Sequence, residues 1–390
     1  MRIGIFTECY LPTLNGVVVS IETFRKELEM RGHKFFIFAP ANKKRQGDEN
    51  NVCRYPSFNW PGQGHYPIAF PVLSAASTVK RAGNLKLDII HTQHLFSIGK
   101  LGLRVGRRLG IPVVHTYHTL IAEYTHYVPL FSGISRGIII GMSRRYCNAC
   151  DEVITPSPSM KKVLLSYGVR TPIEPIPTGV DLGVFKSHFD KEVLRTKWHI
   201  LENKKILLYV SRIAKEKNLD FLFGAIQKLS LKRQDFHLLM VGGGPELGNF
   251  QNKVKELGLE TLVTFTDMQE KTVANRFFGA ADIFVFPSIT ETQGIVITEA
   301  MAAGIPAVAV GIMGPTDLIK DGVDGYLTSF NNYEFSAKIE KLLDDENLRK
   351  QMGEKAREGV KKFSTQNCAL RMEELYAKAI RAASHNSRSK

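Results

Sequence analysis

The chain has 390 residues, of which 44% are hydrophobic and 23% charged, and its mean hydropathy is −0.11. This composition is typical of a folded globular protein of about two domains, and it excludes a disordered, coiled-coil or collagen-like chain. No apolar run reaches the roughly 18 residues needed to span a bilayer. The first apolar run is too short, and an acidic residue follows it too early, for a signal peptide. We therefore expect a cytoplasmic protein.

The formal net charge of +14 is distributed unevenly. Residues 1–180 contain 22 Lys and Arg against 11 Asp and Glu, residues 181–380 contain 27 of each, and residues 381–390 add three cations. The N-terminal half therefore carries +11, which predicts a domain that faces an anionic partner. Nucleic acid, an anionic membrane and a phosphorylated substrate are all compatible with that charge.

Short apolar runs alternate with amphipathic helical stretches along the chain. In the first half the pattern predicts strands at 2–6, 34–39, 87–91, 112–117 and 151–155, with a helix at 17–31. In the second half it predicts strands at 204–210, 236–241, 262–265, 282–286 and 307–310. This alternation predicts an α/β protein with two Rossmann-like domains that face each other across a cleft.

The domain boundary is predicted to follow the Pro-rich stretch at 171–179. We expect an N-terminal acceptor-binding domain at 1–180, a linker at 181–203 and a C-terminal nucleotide-binding domain at 204–364. The last segment, 365–390, is predicted to be a helix that returns to the first domain and ends in a basic tail. Because ligands of open α/β sheets bind beyond the carboxyl ends of the strands, function is expected in the loops that follow the strands.

The loop after the first predicted strand contains Asn15-Gly16 and opens directly into a helix. A glycine lets a ligand approach the backbone, and a helix N-terminus favours an anion. A simple turn explains the same residues equally well.

Three cations, Arg212, Lys215 and Lys217, follow the strand predicted at 204–210. Arginine offers a planar fork and lysine a point charge, which together suit a diphosphate, although a solvated charge run is the alternative. The next predicted strand leads into 242–244, three glycines that permit close approach by a nucleotide. Because neither GxGxxG nor a Walker A sequence is present, NAD binding and ATP hydrolysis are poor interpretations.

The densest candidate site lies at 286–306, where a strand, a loop and a helix follow one another. Glu291 lies in the loop and Glu299 in the helix. A carboxylate in a helix can accept hydrogen bonds from the vicinal hydroxyls of a ribose, and the amides near Gly294 lie where a helix dipole stabilises a phosphate.

The sequence from Glu291 through Glu299 and Ala-Met-Ala-Ala-Gly-Ile-Pro resembles the glutamate pair of retaining glycosyltransferases of family 4, which have the GT-B fold. The resemblance extends through Asn15-Gly16, Ser211-Arg212, Lys217 and the glycine-rich turn. It implies a nucleotide-sugar donor such as UDP-glucose, with Arg212 and Lys217 on the diphosphate, Glu299 on the ribose and Glu291 on the sugar. The implied donor site comprises Asn15, Gly16, Ser211, Arg212, Lys217, Gly243, Glu291, Gln293, Gly294, Ile295 and Glu299. Gln293 departs from the family, since many members place Phe there, and this bears on the identity of the sugar.

His118 falls where family members carry a histidine near the donor sugar, so the catalytic set implied by the resemblance is His118, Glu291, Arg212 and Lys217. The stretch 115–128 and residues 290–294 look most like bacterial diacylglycerol glucosyltransferases. His91, His94, His115 and His118 could also be read as metal ligands. GT-B enzymes generally need no metal, however, so no metal or other cofactor is expected, and the lone CxxC at 147–150 does not change this expectation.

A basic amphipathic helix is predicted over 131–146, where apolar side chains follow helical spacing, and such a helix can lie in a membrane interface. An ordinary helix with a solvated basic face is the alternative. We expect the membrane and acceptor side to comprise Arg136, Arg144, Arg145, Trp60, Tyr117 and His126.

These features together predict an enzyme, peripheral to the inner face of the membrane, that transfers a hexose to a lipid such as diacylglycerol. A phosphoinositide, sugar-phosphate or polysaccharide acceptor is the alternative within the same fold. A nucleic-acid-binding protein is a remote alternative, because no recognised nucleic-acid-binding motif is present. The sequence carries no prediction of the oligomeric state.

Overall fold

The chain divides into two units in the computed structural model, which describes residues 1–13, 15–41, 51–59, 67–69, 75–120, 136–185 and 191–388. The first unit comprises Met1–Gly179 and Thr365–Lys390, and the second comprises Val180–Ser364.

The first unit is built on a parallel sheet of seven strands. The strands of this sheet are β1 (Arg2–Phe6), β2 (Lys34–Pro40), β3 (Val52–Tyr55), β6 (Ile89–Thr92), β7 (Val113–Thr116), β8 (Glu152–Thr155) and β9 (Ile173–Pro175). A separate antiparallel ribbon consists of β4 (Ser57–Asn59) and β5 (Pro67–Ala69). The order in the large sheet is β3-β2-β1-β6-β7-β8-β9, so β1 lies at the centre between β2 and β6.

Helices connect these strands as crossovers, which is what joins parallel neighbours. They are α1 (Gly16–Met30), α2 (Ala75–Asn84), α3 (Ser97–Leu109), α4 (Arg136–Cys147) and α5 (Pro158–Ser166). The terminal helix, Thr365–Arg388, also belongs to this unit. Its Met372 and Tyr376 share one hydrophobic core with Ile3 and Ile5 of β1 and Val18 of α1, so burial of its apolar face holds it there.

The second unit is built on a parallel sheet of six strands. They are β10 (Lys205–Val210), β11 (Phe236–Val241), β12 (Val263–Phe265), β13 (Ile283–Phe286), β14 (Ala307–Val310) and β15 (Gly325–Thr328), in the order β12-β11-β10-β13-β14-β15. The helices are α6 (Lys191–Lys197), α7 (Leu219–Ser230), α8 (Leu247–Glu256), α9 (Lys271–Ala280), α10 (Ile295–Ala303), α11 (Gly314–Leu318), α12 (Asn332–Asp344) and α13 (Glu346–Gly359). A short 3-10 turn, Lys215–Lys217, lies between β10 and α7.

All ten strands predicted from the sequence are present, three with the predicted ends and seven with an end moved by one or two residues. The sequence interpretation missed β3, β9 and β15, which are three or four residues long and lie at sheet edges, and also the two strands of the β4–β5 ribbon. The segment predicted as a linker contains α6, whose Leu194 is buried in the core of the second unit. The α/β prediction of two Rossmann-like sheets is confirmed.

Candidate donor site

The candidate donor site lies beyond the carboxyl ends of three adjacent strands of the second unit. β10 is hydrogen-bonded to β11 on one side and to β13 on the other. The loops that follow these strands, at 211–218, 242–246 and 287–294, therefore meet at one edge of the sheet. This is the edge at which open α/β sheets bind ligands.

The glycine-rich turn packs its backbone directly against the loop after β10. A Cβ on Gly242 would lie 2.0 Å from the carbonyl oxygen of Ser211, and a Cβ on Gly244 would lie 2.2 Å from that of Ile213. The amide of Ile213 donates to the carbonyl of Gly243 over 2.9 Å. Glycine is thus required here for packing between two loops, a reason that differs from the close nucleotide approach predicted from the sequence.

The predicted cations lie together, and each is paired with a carboxylate. Arg212 contacts Glu216 one turn later, and its side chain remains 58% exposed. Lys217 forms an ion pair with Glu291, and both side chains are largely buried. The structure therefore brings the predicted diphosphate ligands and the predicted sugar ligand into one cluster.

Glu299 is buried within α10, and its two carboxylate oxygens differ in their surroundings. Oε1 accepts from the ammonium of Lys271 at the start of α9. Oε2 is buried and has no hydrogen-bond partner among the residues that the structure describes. A buried carboxylate oxygen without a donor is costly, so this atom is poised to accept a hydrogen bond from a ligand hydroxyl.

The loop before α10 is fixed by two glycines. Gly294 has φ of 89°, the left-handed region that favours glycine, and it directly precedes the first turn of α10 at Ile295. Gly314 donates its amide to the carbonyl of Glu291 over 2.9 Å, and a Cβ there would lie 2.4 Å from the carbonyl of Gln293. The backbone of the loop is thereby held against the next βα connection.

Asn15 and Gly16 form the start of α1 in the first unit. The Asn15 side chain accepts from the amide of Val18 over 3.0 Å and donates to the sulfur of Cys9. Asn15 is therefore an N-cap, as the turn interpretation expects. A Cβ on Gly16 would meet no heavy atom within 4 Å, so packing does not require glycine at that position.

Four histidines, His91, His94, His115 and His118, gather at the carboxyl ends of β6 and β7. Burial holds the pKa of His91 at about 3 and that of His94 at about 4. Burial, then the neighbouring histidines, likewise holds the pKa of His118 well below its usual range. The cluster is neutral at physiological pH. In the described part of the chain, no three His, Cys, Asp or Glu side chains are arranged so that they could hold one metal ion.

Helix α4 carries exposed arginines at both of its ends. Arg136, Arg144 and Arg145 are exposed, Ile138 is 55% exposed, and Ile139, Ser143 and Tyr146 are buried. Within the described ranges no helix combines the length and the apolarity needed to cross a membrane.

Of the other residues assigned to the acceptor side, Tyr117 is placed differently from the prediction. It is 2% exposed, and its hydroxyl lies 2.9 Å from that of Ser143, so it anchors α4 from inside the unit and does not contact a bilayer. Trp60 and His126 lie outside the described residues.

Sequence interpretation missed Lys271, Glu216 and Gln93, which contact predicted site residues. Glu216 pairs with Arg212, Lys271 with Glu299, and Gln93 bonds His118. Each of these residues follows a predicted strand, and this position in the chain is the only feature of the sequence that could have pointed to them.

The comparisons with known proteins divide at the same place as the structure. Residues 14–184 match the model of Glycosyltransferase Family 4, and residues 190–359 match Glycosyl transferases group 1. An alpha-monoglucosyldiacylglycerol synthase of Streptococcus pneumoniae is 33% identical over 97% of this chain and 86% of its own length. A GDP-mannose-dependent alpha-mannosyltransferase of Corynebacterium glutamicum is 28% identical over 97% and 89%. The structure of HepE from Anabaena in complex with UDP superimposes with a TM-score of 0.79, at 19% identity over 97% of this chain and all of that one.

Proposed function

The chain belongs to glycosyltransferase family 4, and from that membership we propose that it transfers glucose from UDP-glucose to a membrane lipid such as diacylglycerol, with retention of the anomeric configuration. Family membership alone does not specify the donor, the acceptor or the stereochemistry, and the proposal specifies all three. The relative from Streptococcus pneumoniae supports the lipid acceptor by its name, and the UDP complex supports the donor class.

The observation that carries the donor half is the buried Oε2 of Glu299, midway along α10, which has no hydrogen-bond partner among the described residues. Two vicinal ribose hydroxyls supply the donors that this carboxylate lacks, and the diphosphate then lies toward the cations after β10. Arg212 and Lys217 supply charge for it, and both already lie beside carboxylates that hold them in place.

The diphosphate competes with Glu291 for Lys217. Glu291 forms an ion pair with Lys217 and so neutralises its charge. Once phosphate oxygens contact the ammonium, Glu291 is released to accept hydrogen bonds from hydroxyls of the donor sugar. The Lys217–Glu291 ion pair therefore keeps both residues ready in a low-dielectric site until the donor arrives.

Transfer requires the bond between the anomeric carbon and the departing phosphate oxygen to break on the face where the acceptor oxygen attacks. The departing oxygen takes the acceptor proton, and Arg212 and Lys217 stabilise the negative charge that develops on the diphosphate. His118 contacts the sugar. The products are a glycolipid with the donor's anomeric configuration and a nucleoside diphosphate.

The acceptor half rests on the exposed face of α4 in the first unit. The aliphatic part of Arg144 packs over Gly168, next to the exposed Arg170 and Leu165, so the basic, partly apolar surface continues beyond the helix. Each Lys or Arg near an anionic leaflet contributes about 1 kcal/mol. Several such contacts give reversible, salt-sensitive association with the inner face of a membrane.

A donor panel tests the proposal. Hydrolysis and transfer are measured with UDP-glucose, UDP-galactose, UDP-N-acetylglucosamine and GDP-mannose, first alone and then with diacylglycerol in mixed micelles. We expect UDP-glucose to be consumed fastest and a glycolipid to form only with the lipid present. Preference for GDP-mannose would overturn the donor assignment, and transfer to soluble sugar phosphates alone would overturn the acceptor assignment.

A further inference from the structure

Gln93 contacts the histidine that the proposed function places at the donor sugar. Its side-chain oxygen lies 2.6 Å from Nε2 of His118. Gln93 is 4% exposed, and its backbone N–H donates to the carbonyl of Phe6 at 2.9 Å, which ties the loop after β6 to the end of β1. The contact to His118 therefore comes from a buried residue whose backbone is held in place.

This contact selects one form of the imidazole. An amide oxygen can only accept, so the proton of neutral His118 lies on Nε2 and Nδ1 is the acceptor nitrogen of the ring. Had the partner been a carboxylate, the same position would have stabilised the imidazolium, which has no acceptor nitrogen.

The surroundings of His118 keep it neutral. The titratable groups that face it in the described residues are His91 at the end of β6, His94 in the following loop and His115 in β7. His91 makes two hydrogen bonds of 2.6 Å each, one from Nδ1 to the hydroxyl of Tyr376 and one from Nε2 to the hydroxyl of Thr116. None of these neighbours supplies a negative charge, and the neutral amide of Gln93 adds none, so the ring stays uncharged.

We propose that Gln93 is a positioning residue that fixes His118 in the Nε2-protonated tautomer, so that Nδ1 accepts a hydroxyl of the donor sugar. This role rests on the proposed function, since it assigns the use that a glycosyl donor makes of His118. It extends the catalytic set to a residue that touches neither substrate.

Two substitutions separate positioning from a merely structural role. Gln93→Met removes the acceptor and keeps the volume, so kcat for transfer should fall about tenfold at every pH, the size of one lost hydrogen bond. Gln93→Glu keeps the acceptor but favours the imidazolium. Its activity should approach that of the wild type at high pH and fall about tenfold per pH unit once His118 is protonated. In a His118→Asn background, neither substitution should change the rate further.

A spectroscopic arm does not depend on catalysis. The ¹⁵N chemical shifts of His118 in ¹⁵N-histidine-labelled protein, assigned with the His118→Asn variant, should report the Nε2–H tautomer in the wild type and a mixture in Gln93→Met. A mixture already present in the wild type would overturn the positioning role, as would parallel pH profiles for Gln93→Glu and the wild type. If the tautomer is fixed but no glycosyl transfer occurs with any donor, the proposed function fails and the contact itself stands.

Discussion

Lys217 and Glu291 form an ion pair across two βα loops, although 74 residues separate them in the chain. Their side chains are 15% and 21% exposed, so the pair is shielded from salt and solvent more than a surface pair would be. Lys215, on the same 3-10 turn, is 70% exposed, and its nearest carboxylate, Glu246, is 3.9 Å away. The turn therefore carries one inward and one outward lysine.

This difference predicts unequal roles for the two lysines. Lys217→Met should weaken binding of UDP about tenfold to a hundredfold, because a charge-assisted contact is worth roughly 1.5–3 kcal/mol. Lys215→Met should change it by less than about threefold, because an exposed charge is screened. Isothermal titration calorimetry with UDP measures both, and equal affinities of the two variants would contradict the clamp.

Glu299 is predicted to read the ribose hydroxyls. The wild type should bind UDP more tightly than 2′-deoxy-UDP, by about tenfold if one charged hydrogen bond is lost. Glu299→Ala should bind both ligands weakly and equally, since the discriminating carboxylate is gone. Discrimination that persists in Glu299→Ala would place the ribose elsewhere.

The glycine-rich turn gives a stability prediction that is independent of ligands. Gly244→Ala should lower the melting temperature markedly, because its Cβ would lie 2.2 Å from the carbonyl of Ile213 and the two loops would have to separate. Gly248→Ala, four residues later in α8, is the matched control. No heavy atom lies within 4 Å of its Cβ, and alanine is favoured in helices, so this variant should be as stable as the wild type or slightly more so.

The glycines also show what could and could not be predicted from the sequence. Short apolar runs identified the strands, because a buried strand needs apolar residues within one short segment of the chain. The same local pattern could not show that Gly242 and Gly244 serve packing against 211–213, since that contact joins two strands of the sheet. The partners Lys271 and Gln93 were missed for the same reason. Glu291 and Glu299 were singled out by the succession of strand, loop and helix, and the family resemblance then implied their roles. Tyr117 was assigned to the membrane and acceptor side, yet it is buried and its hydroxyl contacts that of Ser143 in α4.

The exposed, arginine-bearing surface of α4 predicts a salt-sensitive interaction with anionic membranes. Replacement of Arg136, Arg144 and Arg145 by Glu should abolish sedimentation with anionic liposomes, because three contacts of about 1 kcal/mol each become repulsive. Hydrolysis of the donor in solution should persist. A control variant with Lys255, Lys350 and Lys355 of the second unit, all exposed, changed to Glu should still sediment. Loss of sedimentation in both variants would show that net charge, and not this face, is responsible.

Retaining transfer of glucose to a membrane lipid fixes the anomeric configuration of the product, and measuring that configuration decides whether the proposed reaction occurs. The purified protein is incubated with UDP-glucose, an α-linked donor, and diacylglycerol in anionic mixed micelles, and the glycolipid is examined by proton NMR. We expect the wild type to form an α-linked glucosyl diacylglycerol, and a variant with both Arg212 and Lys217 replaced by Met to form none. A β-linked glycolipid, or donor hydrolysis without any lipid product, would contradict it.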